Sequence, residues 1–77
     1  MREQTIRILA EMVANVIVVE VAVGDHVAPG DPVCLLESMK MEIPVLSEEG
    51  GIVSAITVAP GDVVQEGDVL VELTAPR

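Results

Sequence analysis

Hydrophobic positions in this chain fall into short runs rich in Val and Ile, and turn-forming residues separate the runs. β-Branched residues in such runs favour strands, and no stretch keeps a helical hydrophobic period bounded by caps. The pattern predicts about eight short strands, near residues 4–9, 14–21, 26–28, 33–38, 41–46, 51–58, 63–65 and 69–74. We therefore expect an all-β chain.

The same pattern occurs twice, at an offset of about 37 positions. Residues 24–31 align with 61–68, and each of these segments carries a Gly-Asp pair at both ends. Gly allows the left-handed backbone of a tight turn, and Asp can bond to a nearby backbone amide. The repeat predicts two halves, about 4–39 and 41–76. One half alone could not cover its apolar face, so we expect a flattened barrel or sandwich of two four-stranded antiparallel sheets with pseudo-two-fold symmetry.

Composition narrows the possible functions. The 77 residues allow one domain at most, 51% of them are hydrophobic, and none is aromatic. Small-molecule pockets usually have some aromatic walls, so an enzyme is not expected. The single cysteine excludes an internal disulfide framework. A net charge of −9 argues against nucleic acid as a partner. We see no apolar run long enough to span a membrane and no signal peptide, and we expect a cytoplasmic protein.

Lys40 is the sole lysine of the chain, and it lies where the two halves meet. A tight turn normally uses Gly, Asn or Asp, but here Met39 and Met41 flank the lysine. Such a broken local rule often marks a functional position. A lysine amine accepts an acyl group only in its neutral form, so modification would need an enzyme that supplies an activated acid. Position alone favours an ordinary solvated lysine in a turn over a modified one.

A family resemblance gives this lysine a specific role. Residues 37–42 read Glu-Ser-Met-Lys-Met-Glu, which resembles the biotinylation motif of the biotinyl domain family, where a Met-Lys-Met triplet holds the biotinylated lysine. The Gly-Asp-x-Val turns at 24–27 and 61–64 are also similar to that family. The resemblance covers about residues 6–74 and implies the barrel-sandwich hybrid fold. Lipoyl domains share this fold but usually place Asp before the lysine and Ala after it.

The resemblance implies that biotin protein ligase joins biotin to Lys40 through an amide. Met39 and Met41 would help to present the site. The polar residues beside them would contribute to ligase recognition: Glu37, Ser38 and Glu42.

The implied function is that of a biotin carboxyl carrier, a swinging arm and not an enzyme. It would shuttle carboxyl groups between the biotin carboxylase and carboxyltransferase components of a biotin-dependent carboxylase, such as an acyl-CoA carboxylase. The chain resembles, in particular, the short stand-alone biotinylated proteins of bacteria. No catalytic residue, metal, nucleic acid or membrane partner is expected. Two alternatives stay open: a lipoyl-type carrier, and an unmodified interaction domain of the same fold.

A few residues depart from the family or need a separate interpretation. The family usually has Ala where this chain has Ser38, a change that we expect to be tolerated. Ala14 aligns with Gly51 in the repeat, and it would be strained if Gly51 requires a positive φ. Cys34 is interpreted as a small core residue, and His26 as a structural residue, since no second His or Cys accompanies it.

Overall fold

The computed structural model describes residues 3–76, which form eight β-strands and no helix. Residues 1, 2 and 77, which the predicted domain includes, lie outside the described range. The strands are β1 (Glu3–Leu9), β2 (Ala14–Val19), β3 (His26–Val27), β4 (Pro32–Ser38), β5 (Met41–Leu46), β6 (Gly51–Ile56), β7 (Val63–Val64) and β8 (Val69–Pro76). Every strand predicted from the sequence is present.

Strand β2 ends two residues earlier than predicted, and β6 does the same in the second half. A turn closed by an Asp side chain follows each of these strands. The backbone N–H of Ala22 donates to Asp25 Oδ2 at 2.8 Å, and that of Ala59 donates to Asp62 Oδ2 at 2.9 Å. An amide bonded to a side chain in this way cannot continue a strand ladder.

The strands form two four-stranded sheets, in the orders β1-β8-β6-β3 and β5-β4-β2-β7. All pairs are antiparallel. Each sheet takes strands from both halves of the sequence, so neither half is complete without the other. The edge strands leave the structure open, as a barrel-sandwich hybrid and not a closed barrel. The predicted fold class is confirmed.

Backbone hydrogen bonds between the halves show the internal symmetry directly. The N–H of Gly24 donates to the carbonyl of Val53 at 2.8 Å, and the N–H of Gly61 donates to Val16 at 2.8 Å. Each pair equals the other shifted by the repeat offset. The first Gly-Asp turn of each half is therefore held by a strand of the other half.

The core between the sheets is aliphatic. Leu36, Leu70 and Leu73 are its largest fully buried side chains. Cys34 is also fully buried, as predicted. Burial, with a smaller contribution from the charge of Glu20, raises the pKa of the Cys34 thiol to about 11. The thiol therefore behaves as a small core side chain.

Gly51 lies in a close contact and not in the left-handed conformation considered above. Its φ is not positive. A Cβ at this position would instead lie 3.0 Å from the carbonyl oxygen of Thr74 and 3.2 Å from Cβ of Leu73. Ala14, the equivalent residue, is buried in the core with 4% exposure. The left-handed backbone that would have strained Ala14 is absent at Gly51, so the condition for strain at Ala14 is not met.

Both β1 and β5 are edge strands, with unpaired backbone groups on one side. Pro44 lies within β5, opposite Leu35. A proline has no N–H to donate, and within sheets it is tolerated at edges. It also discourages pairing with another chain. Within residues 3–76, no helix has the length and hydrophobicity needed to cross a membrane.

Candidate functional site

The β4–β5 hairpin carries the candidate lysine. Glu37 pairs with Glu42, and Ser38 pairs with Met41, so two residues are left to form the turn. Those residues are Met39 and Lys40. The register therefore brings all six residues of the predicted motif together at one tip.

The two turn residues adopt a backbone that is unusual for their type. Met39 has φ of 53° and Lys40 has φ of 66°, both in the left-handed region. Positive φ at both central residues is typical of a type I′ hairpin turn, which matches the right-handed twist of the strands. For residues other than glycine this conformation costs about 1–2 kcal/mol each. The turn thus concentrates backbone strain at the predicted modification site.

The hairpin tip is well exposed. Met39 is 92% exposed and Met41 is 66% exposed, and Lys40 is also exposed. Among the described residues the one ion pair joins Arg7 Nε to Glu72 at 3.2 Å, so the Lys40 amine has no carboxylate partner. An exposed, unpaired primary amine on a short hairpin fits the requirements for forming an amide with a carboxylic acid. The amine can be reached from solvent without moving the body of the domain.

The lysine tip lies at the opposite end of the molecule from the first and last described residues. Asn15, at the start of β2, pairs with Glu37 beside the tip. Its repeat equivalent Ile52, at the start of β6, pairs with Thr74 near the end of β8. The molecule is elongated, with a longest dimension of 43 Å. The tip therefore projects into solvent, away from the described ends of the chain.

Acidic and apolar side chains surround the tip. Glu37 and Glu42 face each other across the hairpin and are both exposed. Like charges in directly opposed positions destabilise a strand pair, so this arrangement does not serve folding. Val13 is 63% exposed and Met12 is 36% exposed on the adjacent loop. Together these side chains form a surface that combines negative charge with flexible apolar contacts.

One contact at the tip was not found from the sequence. Ser38 Oγ donates a hydrogen bond to the carbonyl oxygen of Val13 at 3.1 Å. Val13 gave no signal of its own, since an apolar residue before a strand is common. The two residues are 25 positions apart, so no local pattern links them.

The other residues considered in the sequence lie away from this tip. Cys34 is buried in β4, and His26 is exposed in β3, opposite Ile52. Residues 3–76 contain no cluster of His, Cys, Asp or Glu that could hold a metal ion.

An open groove of about 830 Å³ runs between the edge strands β1 and β5. Apolar side chains such as Ile6 and Ile43 line it, together with the carboxylates of Glu11 and Glu66. Lys40 does not line this groove. The lysine therefore stands on an exposed turn outside this groove, which suits a residue that is presented to other proteins.

Comparison with known proteins decides the family. Residues 7–73 match the biotin/lipoyl family model, whose description is "biotin-requiring enzyme". The chain belongs to this family. It is 56% identical over 61 residues to the biotinylated protein TB7.3 homolog of Mycobacterium leprae, covering 79% of this chain and 86% of that protein. It is 47% identical over 64 residues to the biotin/lipoyl attachment protein of Bacillus subtilis, covering 83% of this chain and 88% of that protein.

The fold of this chain is also similar to a small part of a large enzyme of known structure. The urea carboxylase of Kluyveromyces lactis superimposes with a TM-score of 0.85 and 32% sequence identity. The match covers 95% of this chain but 6% of that enzyme. The predicted family is confirmed, and so is the role that it implies, a biotin attachment carrier without catalysis of its own.

Proposed function

We propose that Lys40 is the residue that carries biotin. The observation that supports this most strongly is the coincidence of two facts. Lys40 is the sole lysine in the sequence, and it occupies the exposed, strained two-residue tip of the β4–β5 hairpin. In a biotin/lipoyl family member this is the one lysine side chain on which the amide could form.

The attachment is an acyl transfer to the Lys40 amine. The neutral Nζ attacks the activated carboxyl carbon of biotin, a C–N bond forms, and the activating group leaves with the electron pair of the broken bond. The amine gives up a proton in the process. Among the described residues no carboxylate lies within ion-pair distance of the Lys40 amine, so we assign both the activated acid and the proton acceptor to biotin protein ligase.

We assign the residues around Lys40 to presentation and recognition. Met39 and Met41 are flexible, exposed apolar side chains suited to contact with several partners in turn. Glu37 and Glu42 place two negative charges at the base of the turn, where a basic ligase surface could read them. Ser38 completes the ligase-recognition set inferred from the motif.

We propose further that residues 1–77 form one biotinyl domain that works as a carboxyl carrier in the cytoplasm. Its partners would be biotin protein ligase and the biotin carboxylase and carboxyltransferase components of a carboxylase that acts on an acyl-CoA or a related acceptor. Biotin, once attached, supplies the ring that carries the carboxyl group. The rigid hairpin holds the attachment point at the end of the domain, which raises the effective concentration of the arm at each partner. We propose no membrane or metal partner, and no nucleic-acid partner, which the charge of −9 would repel.

A lipoyl carrier is the second candidate, because the names of the family model and of one relative mention lipoyl beside biotin. The residues beside the lysine oppose it. Lipoyl domains usually have Asp before and Ala after the lysine, whereas here Met39 and Met41 occupy these positions. An unmodified interaction domain is the third candidate, and it predicts that the Lys40 amine stays free.

Intact-mass measurement separates the three candidates. The chain is co-expressed with a biotin protein ligase in biotin-supplemented medium, and separately with a lipoyl ligase in lipoate-supplemented medium. We expect the mass of one biotin adduct and binding to avidin in the first culture, and no adduct in the second. A lipoyl adduct, or an unchanged mass in both cultures, would contradict the proposal.

A further inference from the structure

We propose that the Ser38 hydroxyl is a positioning element for the modification of Lys40, acting through its hydrogen bond to the backbone of Val13. This inference rests on the proposed function, since it concerns how the lysine turn is held for the ligase. Ser38 is not expected to touch biotin. Its effect is to fix the base of the turn against the body of the domain.

The location of the bond gives it this effect. The ladder between β2 and β4 has its last rung toward the tip at Asn15 and Glu37. Ser38 is the next residue of β4, immediately before the turn, and its Oγ donates to Val13, which precedes the start of β2, at 3.1 Å. The hydroxyl therefore extends the attachment of β4 to the domain up to the first turn residue.

The turn has need of such an anchor. Met39 and Lys40 both occupy the left-handed region, which non-glycine residues leave readily when the structure around them loosens. The β5 arm of the hairpin pairs with β4 alone, because β5 is an edge strand. The turn is therefore held to the rest of the sheet through β4. An anchored base limits the poses that the two turn residues can adopt.

The internal repeat provides a comparison within the same molecule. The Asp side-chain bonds occur in both halves: Asp25 Oδ2 accepts from Ala22, and Asp62 Oδ2 accepts from Ala59. The serine bond occurs in one half alone. The positions equivalent to Ser38 and Val13, shifted by the repeat offset, are Ala75 and Gly50, and Ala75 has no hydroxyl. This anchor is therefore a feature of the end that bears the lysine and not of the fold.

The consequence for the reaction is a higher fraction of molecules with the turn in a pose that the ligase can bind. A protein whose binding-competent state is partly populated shows an apparent affinity reduced by that fraction. Loss of the anchor should therefore raise the KM of the ligase for this acceptor and leave kcat unchanged. A residue that touched the reacting atoms would change kcat.

The test uses the purified unmodified chain as the acceptor for biotin protein ligase, with biotin and ATP, under steady-state conditions. We expect Ser38→Ala to raise KM about three- to tenfold, since one hydrogen bond is removed. Ser38→Thr keeps the hydroxyl and should restore the KM to near that of the unsubstituted chain. Ser54→Ala is the matched control, because Ser54 Oγ donates to the carbonyl of Glu72 at 3.2 Å in the other sheet.

Hydrogen exchange provides the second measurement. The Lys40 and Met41 amides should exchange faster in Ser38→Ala than in the unsubstituted chain or in Ser54→Ala. The inference is overturned if Ser38→Ala leaves KM unchanged, changes kcat alone, or is matched by Ser54→Ala. A chain that no ligase modifies even with Ser38 in place would instead overturn the proposed function, and with it this inference.

Discussion

The lysine hairpin and the Gly-Asp turns meet the same geometric demand in opposite ways. Each Gly-Asp turn places a glycine at a φ between 91° and 96°, where a glycine pays no steric cost. The aspartate carboxylate of each turn then accepts a backbone N–H three residues earlier. The lysine hairpin also requires positive φ, but it has Met39 and Lys40 in place of glycine, and neither makes a side-chain hydrogen bond in the described structure.

This difference shows where the sequence favours stability and where it favours function. The Gly-Asp turns close the fold with residues suited to their backbone. The hairpin tip departs from that rule twice, with non-glycine residues at positive φ and with Glu37 opposite Glu42. Strain that persists at a single exposed turn is expected where its side chains serve a partner.

The largest effect should come from placing a side chain into the Gly-Asp turns. Gly24→Ala and Gly61→Ala introduce a Cβ that meets nothing within 4 Å, so their cost is the left-handed backbone alone. We expect the double variant to lower the free energy of unfolding by about 2–4 kcal/mol, as two sites without shared partners. Urea denaturation measures this, with each single variant expected to lose about half. A double variant as stable as the unsubstituted chain would contradict the claim that the Gly-Asp turns use glycine because of their positive φ.

The next effect concerns the burial of the Cys34 thiol in β4, the strand that leads into the hairpin. The pKa of Cys34 is raised to about 11, so the folded chain keeps the thiol proton after an unfolded chain has lost it. This contribution to stability is complete below about pH 9 and is lost as the pH rises toward 11. Relative to Cys34→Ala, the free energy of unfolding should fall by on the order of 2 kcal/mol over that range. If the free energy of unfolding depends on pH in the same way for the two chains, the prediction fails, and β4 is packed too loosely to bury the thiol.

A smaller effect, of opposite sign, should follow from making the hairpin resemble the Gly-Asp turns. Met39 is 92% exposed and has φ of 53°, so Met39→Gly relieves strain and gives up little buried surface. We expect the free energy of unfolding to rise by about 1 kcal/mol. Biotinylation by the ligase should become slower, because an exposed side chain of the motif is lost. A chain that is both less stable and equally well modified would contradict the account of the tip.

Much of this fold could be predicted because its signals are local. Runs of β-branched residues gave the strands, and the Gly-Asp pairs marked the turns that the structure contains. The repeat added the long-range information that the halves must interlock. The Lys40 tip could also be predicted from the sequence. Its motif is continuous along the chain, and Met39 and Lys40 stand where a tight turn would normally have Gly, Asn or Asp.

The features that were missed depend on contacts between distant residues. The tight contact at Gly51 arises from its approach to Thr74 across β6 and β8. The bond from Ser38 to Val13 joins the tip to a loop that has no distinctive sequence. Pro44 is acceptable in β5 because that strand lies at an edge, which the strand order alone reveals. Spacing along the chain could predict none of these.

The central claim is that the hairpin, and not merely an exposed lysine, is what the ligase modifies. The double variant K40R/Q65K tests it directly, because it moves the sole lysine to an exposed position in a Gly-Asp turn. After co-expression with biotin protein ligase, intact mass and avidin binding are measured for this variant and for the unsubstituted chain. The account predicts one biotin on the unsubstituted chain and none on K40R/Q65K. Biotin on K40R/Q65K, or none on the unsubstituted chain, would contradict it.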